Sequence, residues 1–342
     1  MLEKVRLGRT NLMVTRVAMG CIPIQRLSHD DAVSLLHMAY DGGINFYDTA
    51  RAYSDSEAKI GAAFAGRRDK VIIASKSMST SYEKTMEHLE ESLRLLKTDY
   101  IDLYQWHNPG NIENFQEDRG PYQAMLDAKK AGKIRFIGFT NHHLERAYAA
   151  ANSGAFDTLQ FPFSVLSAPN EIELAQKCAD LDMGFIAMKG MCGGLLDDGR
   201  IPAAFMNQYR HVVPVWGMEK PEELRQFLDL AEHPEPYTEA MKAEIEALRA
   251  EYGDSFCRGC GYCLPCAANI ELPMMTRIML FVKRHPSGSQ FNDARHASVK
   301  RIEDCTECRA CVERCPYNLD IPELLKKQYK DYMEHYTAYH AK

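Results

Sequence analysis

The sequence predicts an α/β protein: a parallel (β/α)8 barrel followed by a small, mainly α-helical domain rich in cysteine. Three observations carry that expectation. Short apolar runs alternate with amphipathic helical stretches eight times within roughly 230 residues, close to the ~250 such a barrel takes. Polar residues stand just beyond the apolar runs, at the rim where barrels of this kind do their chemistry. Eight of the 11 cysteines fall after residue 256, at short and regular spacings. A chain of 342 residues exceeds one average domain. The expected division is a barrel over 1–235, a charged helical connector over 236–254 and a cysteine domain over 255–342.

The elements follow in order. Lys4–Leu7 and Met13–Val17 flank Gly8-Arg9-Thr10-Asn11, which predicts a β-hairpin. Val17–Met19 is the first barrel strand. Ser28 with Asp31 three residues on is a capping box, opening a helix with Ala32, Leu36, Ala39 and Tyr40 on one face. Gly42-Gly43 ends it, and Ile44–Tyr47 is the second strand, with Asp48 and Tyr53 on the loop beyond. A helix from about Ser56 to Phe64 leads to a third strand, Val71–Ser75, ending at Lys76. Tyr82, Met86, Leu89, Leu93 and Leu96 recur at helical spacing. Ile101–Trp106 is the fourth strand, ending at His107.

Ile134–Phe139, Thr158–Phe161, Gly184–Met188 and Val212–Trp216 supply four more strands. Helices fit near Tyr122–Ala131, Leu144–Ala151, Glu171–Leu181 and Pro221–Ala231. The connection from Cys192 to Gln208 reads as irregular and Gly-rich, with the faintest helical pattern of the eight. An open doubly wound sheet is the alternative, but no G-x-G-x-x-G follows the first strand.

A net charge of −6 gives no electrostatic reason to expect nucleic acid or an anionic membrane as partner. No apolar run approaches the ~20 residues that span a bilayer. The N-terminus has no signal-peptide core, so a cytoplasmic protein is expected. In a reducing cytosol, clustered cysteines point to metal rather than disulfides.

Four separated motifs agree in order and location: Gly43-Ile-Asn-Phe-Tyr-Asp48-Thr-Ala, Tyr53-Ser-Asp-Ser-Glu57, Ala74-Ser-Lys76 and Asp102-Leu-Tyr-Gln-Trp-His107-Asn-Pro. Together they resemble the aldo-keto reductases over roughly residues 1–230. The resemblance implies a catalytic set of Asp48, Tyr53, Lys76 and His107. Tyrosine titrates near 10, too high for ready proton donation at neutral pH. A lysine beside it would stabilise the phenolate and lower that value, and a buried aspartate would hold the lysine. Tyr53 would protonate a carbonyl oxygen while His107 orients it. The bland alternative is a structural Asp48–Lys76 ion pair among routine rim residues.

The resemblance also implies that Asn141 and Gln160 hold the nicotinamide amide and that Gly20 and Cys21 line the cofactor. Two departures stand out. Met188 occupies the segment where the family has a tyrosine stacked on the nicotinamide. The adenosine-phosphate segment from Gly217 to Phe227 offers only Lys220 and Arg225 as cations. NADP and NAD both remain open there.

Cys257-x2-Cys260-x2-Cys263-x2-Cys266 is followed by Cys305-x2-Cys308-x2-Cys311-x3-Cys315-Pro316. The second run matches the bacterial ferredoxin pattern, whose fourth cysteine serves the other cluster. Cys266-Ala-Ala-Asn-Ile-Glu-Leu-Pro273 and Cys315-Pro-Tyr-Asn-Leu-Asp-Ile-Pro322 echo each other, an internal repeat. The expected sets are Cys257, Cys260, Cys263 and Cys315 on one [4Fe–4S] cluster, and Cys305, Cys308, Cys311 and Cys266 on the other. All-cysteine zinc is the alternative, but zinc favours paired C-x2-C knuckles. The insert containing Leu272–Val282 reads as helical, and Tyr329, Tyr332, Tyr336 and Tyr339 as a helical packing stripe.

Three readings follow for the whole chain, an oxidoreductase in the first two. It is a nicotinamide-dependent reductase of a small carbonyl compound whose clusters are structural or redox-sensing. Or the clusters, fed by a one-electron donor or acceptor protein in an anaerobic setting, drive a flavin or radical step in the barrel. Or the barrel is idle and the chain is an electron carrier. Hydride moves two electrons and clusters move one, so joining them requires a converter such as a flavin. No flavin motif is evident.

Overall fold

The computed structural model describes residues 2–117, 119–252, 255–284 and 290–341. It separates into two compact units, Met1–Met191 with Asp198–Ile245, and Cys192–Asp197 with Glu246–Lys342.

In the first unit, β1 (Lys4–Arg6) and β2 (Met13–Thr15) form the antiparallel hairpin, Lys4 opposite Thr15. Gly8 begins its 3-10 turn at φ +49°, and a Cβ there would fall 2.2 Å from the Gly184 nitrogen. Only glycine fits so close an approach. Leu7, Leu12 and Val14 of the hairpin share one apolar cluster with Ala18, Phe46, Ala74, Leu103 and Ile186 of the barrel strands.

Eight parallel strands close the barrel: β3 (Ala18–Gly20), β4 (Phe46–Asp48), β5 (Ile72–Ser77), β6 (Ile101–His107), β7 (Ile134–Thr140), β8 (Thr158–Pro162), β9 (Gly184–Met188) and β10 (Val212–Gly217). Between them run α1 (His29–Asp41), α2 (Ser56–Ala63), α3 (Tyr82–Leu95), α4 (Pro121–Lys130), α5 (Leu144–Ser153), α6 (Pro169–Asp180) and α7 (Arg200–Met206), with α8 (Pro221–Glu232) after the last strand. Ser28 caps α1 through the Asp31 N–H at 3.1 Å, as the capping box predicts. Gly43, at φ +93°, turns the chain from α1 into β4.

Two expectations need correction. Asp48, expected on the loop, is the last residue of β4, and β5 runs one residue past Lys76, its expected end. Parallel pairing runs on to the polar residues because register matches Asp48 with Ala74 and Lys76 with Gln105. The seventh helix, the faintest in the sequence, is present and seven residues long. Ala203, Ala204 and Phe205 give that helix the propensity that the glycines before it conceal.

Helix α9 (Glu239–Tyr252) covers most of the connector, whose last two residues, 253 and 254, lie outside the described residues. The partition between the units runs through α9 and assigns 192–197 to the second unit. Linear boundaries could not express that placement.

The second unit is helical: Leu272–Met275, Ile278–Arg284, Asp293–Lys300, Ala310–Glu313 and the 20-residue Ile321–His340. The repeat is real in the backbone. Asn269 and Asn318 are both left-handed, at φ 53° and 52°, and each donates its N–H to the carbonyl of the cysteine three residues back. A helix with proline in its first turn follows each, from Leu272 and from Ile321. Of the tyrosine stripe only Tyr332 is fully buried, and its hydroxyl donates to the Gln290 carbonyl at 2.9 Å. No described helix is long and apolar enough to cross a membrane.

One close packing is testable. A Cβ on Gly61 of α2 would lie 2.2 Å from the Leu95 carbonyl oxygen at the end of α3. Gly61→Ala should therefore destabilise the barrel by about 1–3 kcal/mol, the usual cost of overpacking. A urea midpoint equal to the parent's would contradict this contact.

Candidate active site and metal centres

The ends of β4, β5 and β6 bring four polar side chains together. Lys76, 1% exposed, donates to Asp48 Oδ2 at 2.7 Å and to the Thr49 carbonyl at 2.6 Å. Asp48, 3% exposed, is held in turn by Gln105 Nε2 at 3.3 Å and Gln160 Nε2 at 3.2 Å. A buried charge pair survives only when further hydrogen bonds satisfy it. Here the two amides and the Thr49 carbonyl supply them.

Tyr53 sits in the turn between β4 and α2. That turn is tied to β5 by Thr49 N–H to the Ala74 carbonyl, 2.8 Å, and Arg51 N–H to the Lys76 carbonyl, 2.9 Å. The Lys76 ammonium lies 5.1 Å from the centre of the Tyr53 ring, within cation–π range. The His107 ring meets Tyr53 edge-on, centroids 6.1 Å apart at 86°. Asp48, Tyr53, Lys76 and His107 thus converge.

Their electrostatics differ from the sequence expectation. Burial first, then the negative fields of Asp48 and Cys21, push the Tyr53 hydroxyl well above its ordinary range instead of lowering it. The physical reason is that the Lys76 charge is already matched by Asp48 and faces the ring. Tyr53 is therefore a retained proton. Burial, with a contribution from the Lys76 charge, drops His107 to about 3, so its imidazole is neutral at neutral pH. Its Nδ1 is buried without a hydrogen-bond partner.

The expected nicotinamide contacts are less open. Asn141 is fully buried, with Nδ2 donating to the Pro109 carbonyl at 3.1 Å and Oδ1 accepting the His143 N–H at 2.8 Å. Gln160 Oε1 accepts from Gln105 at 3.0 Å while its nitrogen serves Asp48. Both amides are spoken for by protein. Gly20 and Cys21 are buried beside Asp48, and the Cys21 N–H donates to the Asp48 carbonyl at 2.8 Å. Met188 is half-buried at the end of β9. Gly217, the last residue of β10, and Lys220 beyond it are exposed. There the Glu223 carboxylate accepts the backbone N–H groups of Glu219 and Lys220, at 2.9 and 3.1 Å, and Arg225 pairs with Glu222 at 3.3 Å. The start of α8 is thus capped from within.

Sequence reasoning missed Gln105, which bridges Asp48 and Gln160. It also passed over Glu57, 1% exposed, which takes the Arg51 guanidinium on one oxygen and the Ser75 hydroxyl, at 2.5 Å, on the other. Glu57 anchors the Tyr53 turn to β5. The signal was available as a charged residue on the buried face of a short helix.

In the second unit, a cavity of about 100 Å3 is lined by Cys266, Cys305, Cys308 and Cys311 together. Around the other run, the Cys263 thiol is pushed up to about 12 by burial and by the neighbouring sulfurs of Cys257, Cys260 and Cys315. The exchange of fourth cysteines expected from the repeat is therefore present as proximity. Four thiols around one cavity fit a cubane cluster, which takes its ligands from several directions. Cys257, Cys263 and Cys315 are buried and Cys308 is exposed.

A pH dependence follows from His107. Its folded value near 3 lies below the ~6.5 of an unfolded histidine, so between these the unfolded chain binds the extra proton. Its contribution is complete above about pH 6.5 and is lost as pH falls toward 3. Thermal midpoints of the parent should drop from pH 7 to pH 4.5, and His107→Gln should lessen the drop. Parallel curves for the two proteins would contradict the burial of a neutral imidazole.

Comparison with known proteins agrees with both halves. The sequence pattern of the aldo/keto reductase family matches residues 16–206, and that of the 4Fe-4S dicluster domain matches residues 256–320. The uncharacterized oxidoreductase YrpG of Bacillus subtilis is 32% identical over 225 residues, covering 57% of this chain and 68% of its own. Methylglyoxal reductase DkgB of Salmonella typhi is 35% identical over 149 residues, 41% of this chain and 54% of its own. Among solved structures, PA4992 of Pseudomonas aeruginosa superposes with a TM-score of 0.60 at 26% identity, over 67% of this chain and 95% of that one. An aldo-keto reductase from Klebsiella pneumoniae in complex with NADPH has the same fold, TM-score 0.59 at 23% identity, over 73% and 95%. The chain is an oxidoreductase of the aldo/keto reductase family that carries a 4Fe-4S dicluster domain.

Proposed function

We propose that the barrel reduces the carbonyl of a small molecule, with Tyr53 as proton donor, and that the second unit carries two [4Fe–4S] clusters. A nicotinamide, when bound, supplies the hydride. The observation that carries this reading is the Lys76 cation, clamped by Asp48 and the Thr49 carbonyl and lying against the Tyr53 ring with His107 edge-on. Tyr53 keeps its proton until an acceptor oxygen gains negative charge. At that moment Lys76, close by in a low-dielectric pocket, favours the developing phenolate. Neutral His107 presents a nitrogen to the same oxygen and holds it in line. Methylglyoxal reductase among the relatives supports a small aldehyde as substrate class.

The coenzyme is NADPH or NADH, and the Klebsiella pneumoniae aldo-keto reductase of the same fold, in complex with NADPH, supports NADP(H). By the resemblance, a 2′-phosphate would lie against the segment after β10. There Glu223 caps the helix, Glu219 is paired with Arg26 at 2.5 Å and Arg225 with Glu222, and the exposed Lys220 offers a cation to the phosphate.

In the second unit, Cys257, Cys260, Cys263 and Cys315 would hold one cluster, and Cys305, Cys308, Cys311 and Cys266 the other. The exposed Cys308 favours one-electron exchange with an outside carrier protein at the second. One observation supports a second reading, in which the clusters feed the barrel: Asn141 and Gln160 each already spend one donor and one acceptor site on protein partners, so a nicotinamide would share them. A flavin finds no support in the residues or the relatives.

Tyr53→Phe removes one hydroxyl and leaves the packing. The variant should keep fold and iron content while aldehyde reduction falls by about 10²-fold or more, the usual weight of a positioned acid. Unchanged turnover with methylglyoxal and related aldehydes would remove Tyr53 from the acid role.

A further inference from the structure

The first cysteine run closes over an arginine, Arg277. Arg277 lies in the break between the helices Leu272–Met275 and Ile278–Arg284. Its guanidinium is pinned by two carbonyls, Nε to Pro273 at 2.7 Å and Nη1 to Gly193 at 2.6 Å. It packs directly on the Cys257–Cys260 loop. A Cβ on Gly259 would stand 2.6–2.7 Å from its nitrogens and central carbon, so this loop closes over the arginine only because residue 259 is glycine. Gly259 is at φ +67°, and its N–H reaches Cys257 Sγ at 3.4 Å. Arg277 thus sits against the same residue that touches the first sulfur.

We propose that Arg277 raises the reduction potential of the cluster held by Cys257, Cys260, Cys263 and Cys315, offsetting the burial of that site. This rests on the dicluster reading above. Reduction adds one electron from an outside reductant to the oxidised cluster, with no bond made or broken, and so adds one negative charge. Three of the four sulfurs here, those of Cys257, Cys263 and Cys315, belong to residues 8%, 6% and 7% exposed. Water can do little to stabilise the new charge, and burial alone would make the cluster hard to reduce. A guanidinium stays ionised, and its attraction grows in the same low dielectric that excludes water. The fields of Cys257 and Cys260 act on Arg277 in turn, opposing the effect of its own burial.

The cations at the second set are more open to water: Arg309 is exposed, and Arg314, half-buried, donates Nε to the Ala310 carbonyl and Nη2 to the Pro265 carbonyl, both at 2.9 Å. Cys308 is exposed, and the charges nearest it in sequence are balanced: Arg309 with Asp320 at 3.1 Å, and Glu307 with Lys326 at 2.9 Å, the lysine shared with Glu323 at 2.7 Å. Water screens the charges around the second set, whereas Arg277 and the buried Arg258, 8% exposed beside Cys257, act on the first where water is excluded.

Arg277→Gln and Arg277→Lys decide the matter, measured anaerobically on the full chain by dithionite titration with electron paramagnetic resonance and iron analysis. The parent should hold about eight iron atoms; iron-free parent protein would defeat the dicluster reading itself. Given clusters, Arg277→Gln should shift one of the two midpoints downward by about tenfold in the reduced-to-oxidised ratio, about 59 mV for one electron. The other midpoint should stay in place. Arg277→Lys, which keeps the charge and loses the planar fork, should stay near the parent. Two unmoved midpoints in Arg277→Gln, or an equal fall in Arg277→Lys, would overturn the proposal. Should Arg277→Gln fail to retain iron, the uncharged Arg277→Met takes its place under the same criterion, a lowered midpoint supporting the charge effect and an unmoved one refuting it.

Discussion

The buried pair between Lys76 and Asp48 is the interaction on which the barrel's chemistry depends. Two opposite charges inside the barrel, 2.7 Å apart, gain little over an apolar pair unless every remaining donor and acceptor is met. Gln105, Gln160 and the Thr49 carbonyl meet them, from β6, β8 and the loop after β4. Four parts of the barrel must therefore be in register before the lysine can point at Tyr53. Removing one partner would strand the other charge, a cost of about 3–5 kcal/mol in buried pairs. The site is in this sense a product of barrel closure.

The same network constrains what the pocket can offer a ligand. Amides that could bind a nicotinamide carboxamide are used to hold Asp48 or to shape the loop after β7. What remains available is the Tyr53 hydroxyl and the His107 imidazole, one holding its proton firmly and the other uncharged. Both conditions suit transfer of a proton to an oxygen that becomes basic only during reaction. A phenol already ionised, or an imidazolium, would not serve in that way. The cysteine unit solves a different problem. Its apolar core includes the thiols themselves, Cys257, Cys263 and Cys315, alongside Ile270, Met275 and Leu325. Packing and ligation there draw on the same residues.

Much of this was legible beforehand, for physical reasons. Apolar runs ending in Asp48, Lys76 and His107 mark strand ends because a buried parallel strand tolerates charge only at its rim. The placing of Cys266 near the second run and of Cys315 near the first was legible because the chain repeats itself around both, down to the asparagine three residues on. Gln105 was not, since a polar residue within Ile101–His107, like Asp102 before it, carries no label until register sets it beside Lys76. The direction of the Tyr53 shift was also hidden, because it depends on depth and on where the lysine already points. The seventh helix was the faintest in the sequence because glycines precede it and it is only seven residues long.

The central claim is that hydride reaches the carbonyl carbon from a nicotinamide while Tyr53 supplies the proton. The direct measurement is anaerobic reduction of a small aldehyde with NADH and NADPH deuterated at the transferable ring position, with the alcohol analysed by mass spectrometry. Deuterium should appear on the former carbonyl carbon in proportion to coenzyme oxidised, in solvent of ordinary water. Unlabelled alcohol, or alcohol formed only when dithionite is supplied, would mean that the electrons arrive by another route.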